Sequence, residues 1–329
     1  MRKSAYLLLL AGLALFTVLI GYHGLNDVIG ALAVAGWGLV WVSLFHVLPL
    51  AVESVAWGKL WHSDRPSLLV LLWACWIGEA VNGLLPVAQV GGDLIRARLL
   101  VHRNISGAMA GASVVVEVTI SVFTLIIFSL LGVWLLLDVG GQDVVLAVLI
   151  GLGILGSLMT AFYLAQRRGL FARIARALVR LAGDRDWDVL VGGAAALDQA
   201  ILGIYQDRHA LFSSSVWRLV SWLVGTGEVW LAMYFLGAPV SLTHALLLES
   251  LGQAIRAAAF LIPGALGVQE GGYLVLGSLL GISPQVALAL SLTKRVRYLL
   301  LGLPALVAWQ IAEGRRLWRG RSEPVQPAE

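Results

Sequence analysis

Long apolar blocks separated by short polar breaks make up most of this chain. They run over residues 5–21, 28–56, 67–90, 105–137, 144–165, 213–236, 241–262 and 284–311. A helix that spans a bilayer needs about 20 predominantly apolar residues, so the pattern predicts an all-α integral membrane protein. Trp57, Trp61, Trp134, Trp217, Trp309 and Trp318 lie near block ends, where aromatic belts form at the two membrane surfaces. Arg2 and Lys3 before the first block have the look of a signal peptide, but the later blocks are equally apolar and a retained first span is expected.

Basic residues orient the blocks. Arg2 and Lys3 precede the first block, Lys59 and Arg65 follow the second, and Arg96, Arg98 and Arg103 follow the third. Six Arg fall within 167–185, and Arg315, Arg316, Arg319 and Arg321 close the chain. Under the positive-inside rule these are cytoplasmic, as are both termini. The connections near Asp27, Asp138 and Gly237 carry no Lys or Arg. This leaves 67–90 beginning and ending inside and 241–280 beginning and ending outside, which a simple crossing does not allow. Each segment holds a helix-breaking proline, Pro86 or Pro263. The expectation is therefore about six transmembrane helices plus two re-entrant hairpins, with broken backbone held inside protein or against a polar cavity.

The two dipping segments match at a spacing of 177 residues. Pro86 falls on Pro263, Asp93 on Glu270, Ile105-Ser106 on Ile282-Ser283, and Glu117 on Lys294. Opposite orientation and a common pattern together predict an inverted-topology repeat, an architecture that places binding sites near the midplane. The expected layout is a single polytopic membrane domain over 1–329, with repeat-like halves at about 67–137 and 241–312. A cytoplasmic amphipathic segment at 167–212 and a cytoplasmic tail at 313–329 complete it. Within 167–181, Phe171, Ile174, Leu178 and Leu181 share one helical face and Arg173, Arg176 and Arg180 another, which suits an anionic leaflet.

Ionisable residues interrupt the apolar blocks: Glu53, Glu79, Glu117, Arg218, Glu228, Glu249, Arg256, Lys294, Arg295 and Arg297. Each costs about 2.5–3.5 kcal/mol at a bilayer centre on insertion scales, so they face inward and pair or line a groove. Ion pairs that fix packing are one reading, with Glu228 or Glu249 opposite Arg218 or Arg256. A hydrophilic groove for a lipid headgroup is the other. For the groove the candidate lipid-binding residues are Glu79, Asp93, Arg96, Glu117, Glu249, Arg256, Glu270, Lys294 and Arg295, with Pro86 and Pro263 as structural helix breaks.

Composition narrows the chemistry. The chain is 59% hydrophobic and 13% charged, against about 25% charged in soluble domains. Its formal charge of +4 sits beside apolar blocks, which points to membrane lipids rather than nucleic acid as partner. One cysteine, Cys75, excludes an intrachain disulfide, and no two of the six His stand at metal-ligand spacing. There is no phosphate-binding loop, dinucleotide fingerprint, zinc-protease helix or nucleophile elbow. No catalytic residue, cofactor or metal is therefore expected.

The stretches Pro86-Val-Ala-Gln-Val-Gly-Gly-Asp93-Leu-Ile-Arg96 and Pro263-Gly-Ala-Leu-Gly-Val-Gln-Glu270 resemble the paired motifs of the lysylphosphatidylglycerol synthase transmembrane-region family, also called flippase-like. The likeness covers nearly the whole chain. Gln269 stands where the family often has Arg. Members that aminoacylate lipid add a cytosolic transferase domain, and this chain ends soon after its last block. It is most similar to the subgroup associated with hopanoid biosynthesis. The resemblance implies that a hopanoid or other lipid, such as an anionic phospholipid, is carried across a bacterial inner membrane. A non-transporting partner of lipid-biosynthesis enzymes and an intramembrane lipid-modifying transferase remain open beside it.

Overall fold

The computed structural model describes residues 25–62, 65–85, 90–138, 142–182 and 188–322. The expected span at 5–21, and Pro86, lie outside them. Every regular element among the described residues is a helix.

The block at 28–56 is three helices rather than one: α1 (Leu25–Ala35), α2 (Gly38–Phe45) and α3 (Val47–Gly58). Gly36, at φ 45°, turns the chain after α1 in a conformation that glycine takes without a Cβ penalty. His46 stands alone between α2 and α3. Pro49, in the first turn of α3, has no N–H to offer the Phe45 carbonyl, so the two helices meet at a joint. Then follow α4 (Leu68–Leu84), α5 (Gly91–Val101), α6 (Gly107–Asp138), α7 (Gln142–Arg167), α8 (Leu170–Ala182), α9 (Asp188–Gln206) and α10 (Arg208–Phe235). The chain closes with α11 (Leu242–Ala258), a 3₁₀ turn at Pro263–Ala265, α12 (Val268–Leu279) and α13 (Pro284–Ser322). The last helix runs past 311 and carries the basic end of the chain with it.

Among the described residues three stretches are long and apolar enough to cross a membrane: Gly38–Gly58, Gly107–Asp138 and Val144–Arg167. The last of these turns Leu146, Ile150, Ile154 and Leu158 outward, each more than half exposed. An unbroken apolar stripe of this kind suits lipid, since in water it would forfeit about 25 cal/mol for every Å² left uncovered.

Three apolar cores pack the bundle among the described residues, the smallest joining Ile77, Ala80 and Val81 to Ala305; the two larger ones shape it most. One gathers Val133, Met233, Leu247, Leu251, Leu276 and Leu290; the other gathers Trp57, Leu60, Leu71, Leu100, Val116 and Ile201. The second core changes the picture of 167–212. Helix α8 is amphipathic, but α9 packs along α6 and buries Ile201 and Ile204, so the second half of that segment belongs to the bundle. Asp198 on α9 accepts from the backbone N–H groups of Phe171 and Ala172 (3.2 and 2.8 Å), which caps α8 and ties it down. On α8, Ala175 is buried while Ile174 is exposed, so the inward face differs by one position from the expected one.

Helices α4 and α11 are each 17 residues long and begin at a serine that caps the first turn, Ser67 and Ser241. Each is followed by a break and a shorter helix folded back on it. Gly78 on α4 receives the Arg96 side chain from α5, and Gly252 on α11 receives Tyr273 from α12. Gly78 and Gly252 are 174 residues apart, whereas Arg96 and Tyr273 are 177 apart. The spacing of 177 therefore holds for the second helix of each hairpin, and the breaks differ by three residues.

A Cβ on Gly92 would lie 2.1 Å from the carbonyl oxygen of Gly78, a backbone atom that cannot swing away. Gly92→Ala is expected to lower stability by about 1–3 kcal/mol by overpacking, read as an earlier thermal unfolding midpoint in detergent. Gly193→Ala, on a part of α9 with open space around it, leaves that midpoint unchanged or raises it.

Candidate functional site

A polar cavity of about 220 Å³ lies between α3, α4, α10, α11 and α13. Helix α4 presents Cys75, Glu79 and Asn82 to it, and α11 presents Glu249, Gln253 and Arg256. These are the same i, i+4, i+7 positions of two helices of equal length, so each helix shows the cavity a single face. His46 and Glu53 close one wall, Arg218 and Glu228 another, and Arg297 and Tyr298 a third. A larger hollow of about 540 Å³ beside Trp61, Ile105 and Ile204 is lined, among the described residues, by no Asp, Glu, Lys or Arg. The charge chemistry is at the smaller one.

Two ladders of alternating charge flank it. In the first, the Arg96 guanidinium donates to Glu117 (3.0 Å) and Asp93 (3.4 Å), and its other arm reaches the Cys75 sulfur (3.4 Å). Glu53 sits 3.8 Å from Arg96 and 2.6 Å from Arg218, joining the two cations. Arg96 lies over the Trp57 ring and Arg218 over Trp222, each within 4.5 Å of the ring centre.

The second ladder centres on Glu228, only 2% exposed. Arg297 donates to both its oxygens (2.9 and 2.6 Å), Lys294 stands 3.6 Å away, and His46 Nδ1 faces it at 2.7 Å. Lys294 also donates to Glu249 (2.7 Å), whose other oxygen accepts from Gln253 (2.8 Å). Glu79 faces His46 Nε2 (2.9 Å) and lies 3.5 Å from Arg297. Among the described residues Arg256 makes no ion pair: its guanidinium rests on the Tyr298 ring, 4.6 Å from the centre. The pairing of Arg218 or Arg256 with Glu228 or Glu249 does not occur; Arg218 goes to Glu53 instead.

A family model for the lysylphosphatidylglycerol synthase TM region matches residues 9–305. The chain belongs to this family. It is thus a membrane protein related to lipid handling. No curated protein and no solved structure matches it.

In this family member, the sequence-selected residues divide by role. Glu79, Glu249 and Arg256 line the cavity. Asp93, Arg96 and Glu117 form the first ladder, and Lys294 joins Glu228 to Glu249 behind the wall. Glu270 and Arg295 are elsewhere. Fully buried Glu270 accepts from the Gly267 N–H (2.7 Å), Ser291 (2.9 Å) and Arg295 (2.7 Å), and Arg295 also reaches the Gly264 carbonyl (3.2 Å). This pair clamps the turn after Pro263 and starts α12; it holds the break together rather than lining the cavity. Glu53, Arg218, Glu228 and Arg297 were legible as charges inside apolar blocks but not as cavity residues. His46 gave a weaker signal, a lone polar residue in an apolar run just before a proline.

Lys294 is 4% exposed and holds two carboxylates. Lys294→Met is expected to cost about 3–5 kcal/mol by stranding buried charge. Adding Glu249→Gln should recover part of the loss in a thermal unfolding series.

Proposed function

We propose that this chain is a flippase-like protein of the bacterial inner membrane that binds a lipid by its headgroup and moves it between leaflets. The observation that carries this reading is Arg256, a cation lining a polar cavity that makes no ion pair among the described residues. The buried cations beside the cavity, Arg96, Arg218, Lys294 and Arg297, are all paired. A guanidinium left on an aromatic ring has its donors open to an anionic oxygen, and phosphate is the planar fork's natural partner. An apolar groove of about 440 Å³, lined by Trp41, Leu44, Phe45, Leu48, Leu231 and Phe235, runs along α2, α3 and α10. Glu228 and Leu231 are one helical turn apart, so a headgroup in the cavity leaves its tails room in the groove.

The architecture that goes with this reading has about six spans and two re-entrant hairpins, with both termini cytoplasmic. The halves at 67–137 and 241–312 are then related by an inverted repeat and rock about the cavity. The lipid is an anionic phospholipid or a hopanoid; the unpaired Arg256 favours the anionic headgroup.

The test is a leaflet-accessibility assay in liposomes that carry the purified protein and labelled phosphatidylglycerol, with a labelled hopanoid in parallel. Phosphatidylglycerol is expected to cross. Arg256→Gln should slow it about ten- to hundredfold, the equivalent of one charge-assisted hydrogen bond of about 1.5–3 kcal/mol, while Arg256→Lys retains part of the rate. Lipid recovered chemically changed would replace this reading with a transferase. No movement, together with co-purified lipid-biosynthesis enzymes, would replace it with a scaffold.

A further inference from the structure

His46 is the one cavity group among the described residues whose proton inventory the geometry leaves divided. Its Nε2 faces both oxygens of Glu79 (2.9 and 3.0 Å), and its Nδ1 faces Glu228 at 2.7 Å. Ionised carboxylates only accept, so two carboxylates around one ring call for a proton on each nitrogen. Arg297 opposes this: its Nη1 is 2.7 Å from the same Nδ1 and has only donors. With Nδ1 bare, it accepts from Arg297, and Glu228 is held by Arg297 and Lys294. With Nδ1 protonated, it donates to Glu228 and stands against the guanidinium. The ring therefore has two arrangements of similar contacts that differ by one proton.

The charges facing the ring decide when each is favoured. Helix α4 supplies Glu79, α10 supplies Glu228, α11 supplies Glu249 and Arg256, and α13 supplies Lys294 and Arg297. On its own side of the cavity, α3 supplies Glu53, which is already held by Arg218. Around the ring, three carboxylates (Glu79, Glu228, Glu249) meet three fixed cations (Arg256, Lys294, Arg297) and cancel. A protonated His46 adds one positive charge, and an anionic headgroup at Arg256 adds one negative. Either alone leaves net charge in a largely buried site; together they neutralise each other, which is the less costly state.

We propose that His46, with Glu79 and Glu228, is a proton-binding site, and that an anionic lipid headgroup enters the cavity together with a proton. This rests on the lipid-binding reading above and supplies an energy source for it: headgroup and proton load and leave on the same side, so a pH gradient drives the lipid. By linkage each ligand tightens the other. The ring sits where α2 meets α3, at the turn in which Pro49 leaves the Phe45 carbonyl without its helical donor.

The experiment is proton uptake by the purified full chain in weakly buffered detergent on addition of short-chain phosphatidylglycerol, read with a pH dye. A parallel flux assay uses liposomes under an imposed pH gradient. The wild type is expected to take up a proton on lipid binding, about one per lipid by one-site linkage, and to move lipid severalfold faster toward the alkaline side. His46→Gln, which keeps hydrogen-bonding capacity, and Glu79→Gln should lose both the uptake and the gradient dependence. His62→Gln, at an exposed His paired with Asp207 outside the cavity, should keep both. Lipid movement with no proton uptake and no response to the gradient overturns the proton site and leaves the transport reading standing. Proton uptake without lipid movement removes the transport reading and keeps the site. Uptake that persists in His46→Gln overturns the assignment to this residue.

Discussion

Glu228 is the carboxylate on which the centre of the bundle converges. It is buried on α10, and it is met by His46 from the joint after α2 and by Lys294 and Arg297 from α13. A lone carboxylate in hydrocarbon would be prohibitively costly, so these elements are committed to one arrangement. Arg297 and Lys294 then extend the commitment to Glu79 on α4 and Glu249 on α11. Five parts of the chain are in this way held around one space, and three of them, α10, α11 and α13, also share an apolar core. The cavity is what remains once those charges have found each other.

The first ladder does the same on the other side with different means. Arg96 and Arg218 share Glu53 and Glu117, and both lie over tryptophan rings. A guanidinium over an aromatic ring keeps its N–H groups able to donate. Arg256 also lies over a ring, but among the described residues it meets no carboxylate at ion-pair distance. The contrast among these three guanidiniums is therefore a difference in occupancy, since all three rest on an aromatic face.

How much of this was legible in the sequence depends on range. The helical, membrane-embedded character followed from block length. The joint at His46 was hidden because 28–56 reads as one apolar run, although Pro49 and Gly36 were there to break it. Glu270 and Arg295 looked like cavity residues because they are charged and close to Pro263. In space their proximity to that proline is their role: they hold the turn it makes. Partners such as Glu53 with Arg218, or His46 with Glu79 and Glu228, are set by helix packing across long sequence separations. No periodicity records that.

The equal lengths of α4 and α11 have a further bearing on the surroundings. Seventeen residues rise about 25 Å at 1.5 Å per residue, while the hydrocarbon layer of a bilayer is about 30 Å thick. Both helices are thus shorter than that layer, whereas α10 and α13, which line the same cavity, are 28 and 39 residues long and exceed it. The cavity is therefore bounded by short helices on one part of its wall and long ones on another. A bilayer thins against a hydrophobic segment shorter than itself. In the proposed lipid-binding reading, the side of α4 and α11 is where a headgroup lies nearest the midplane.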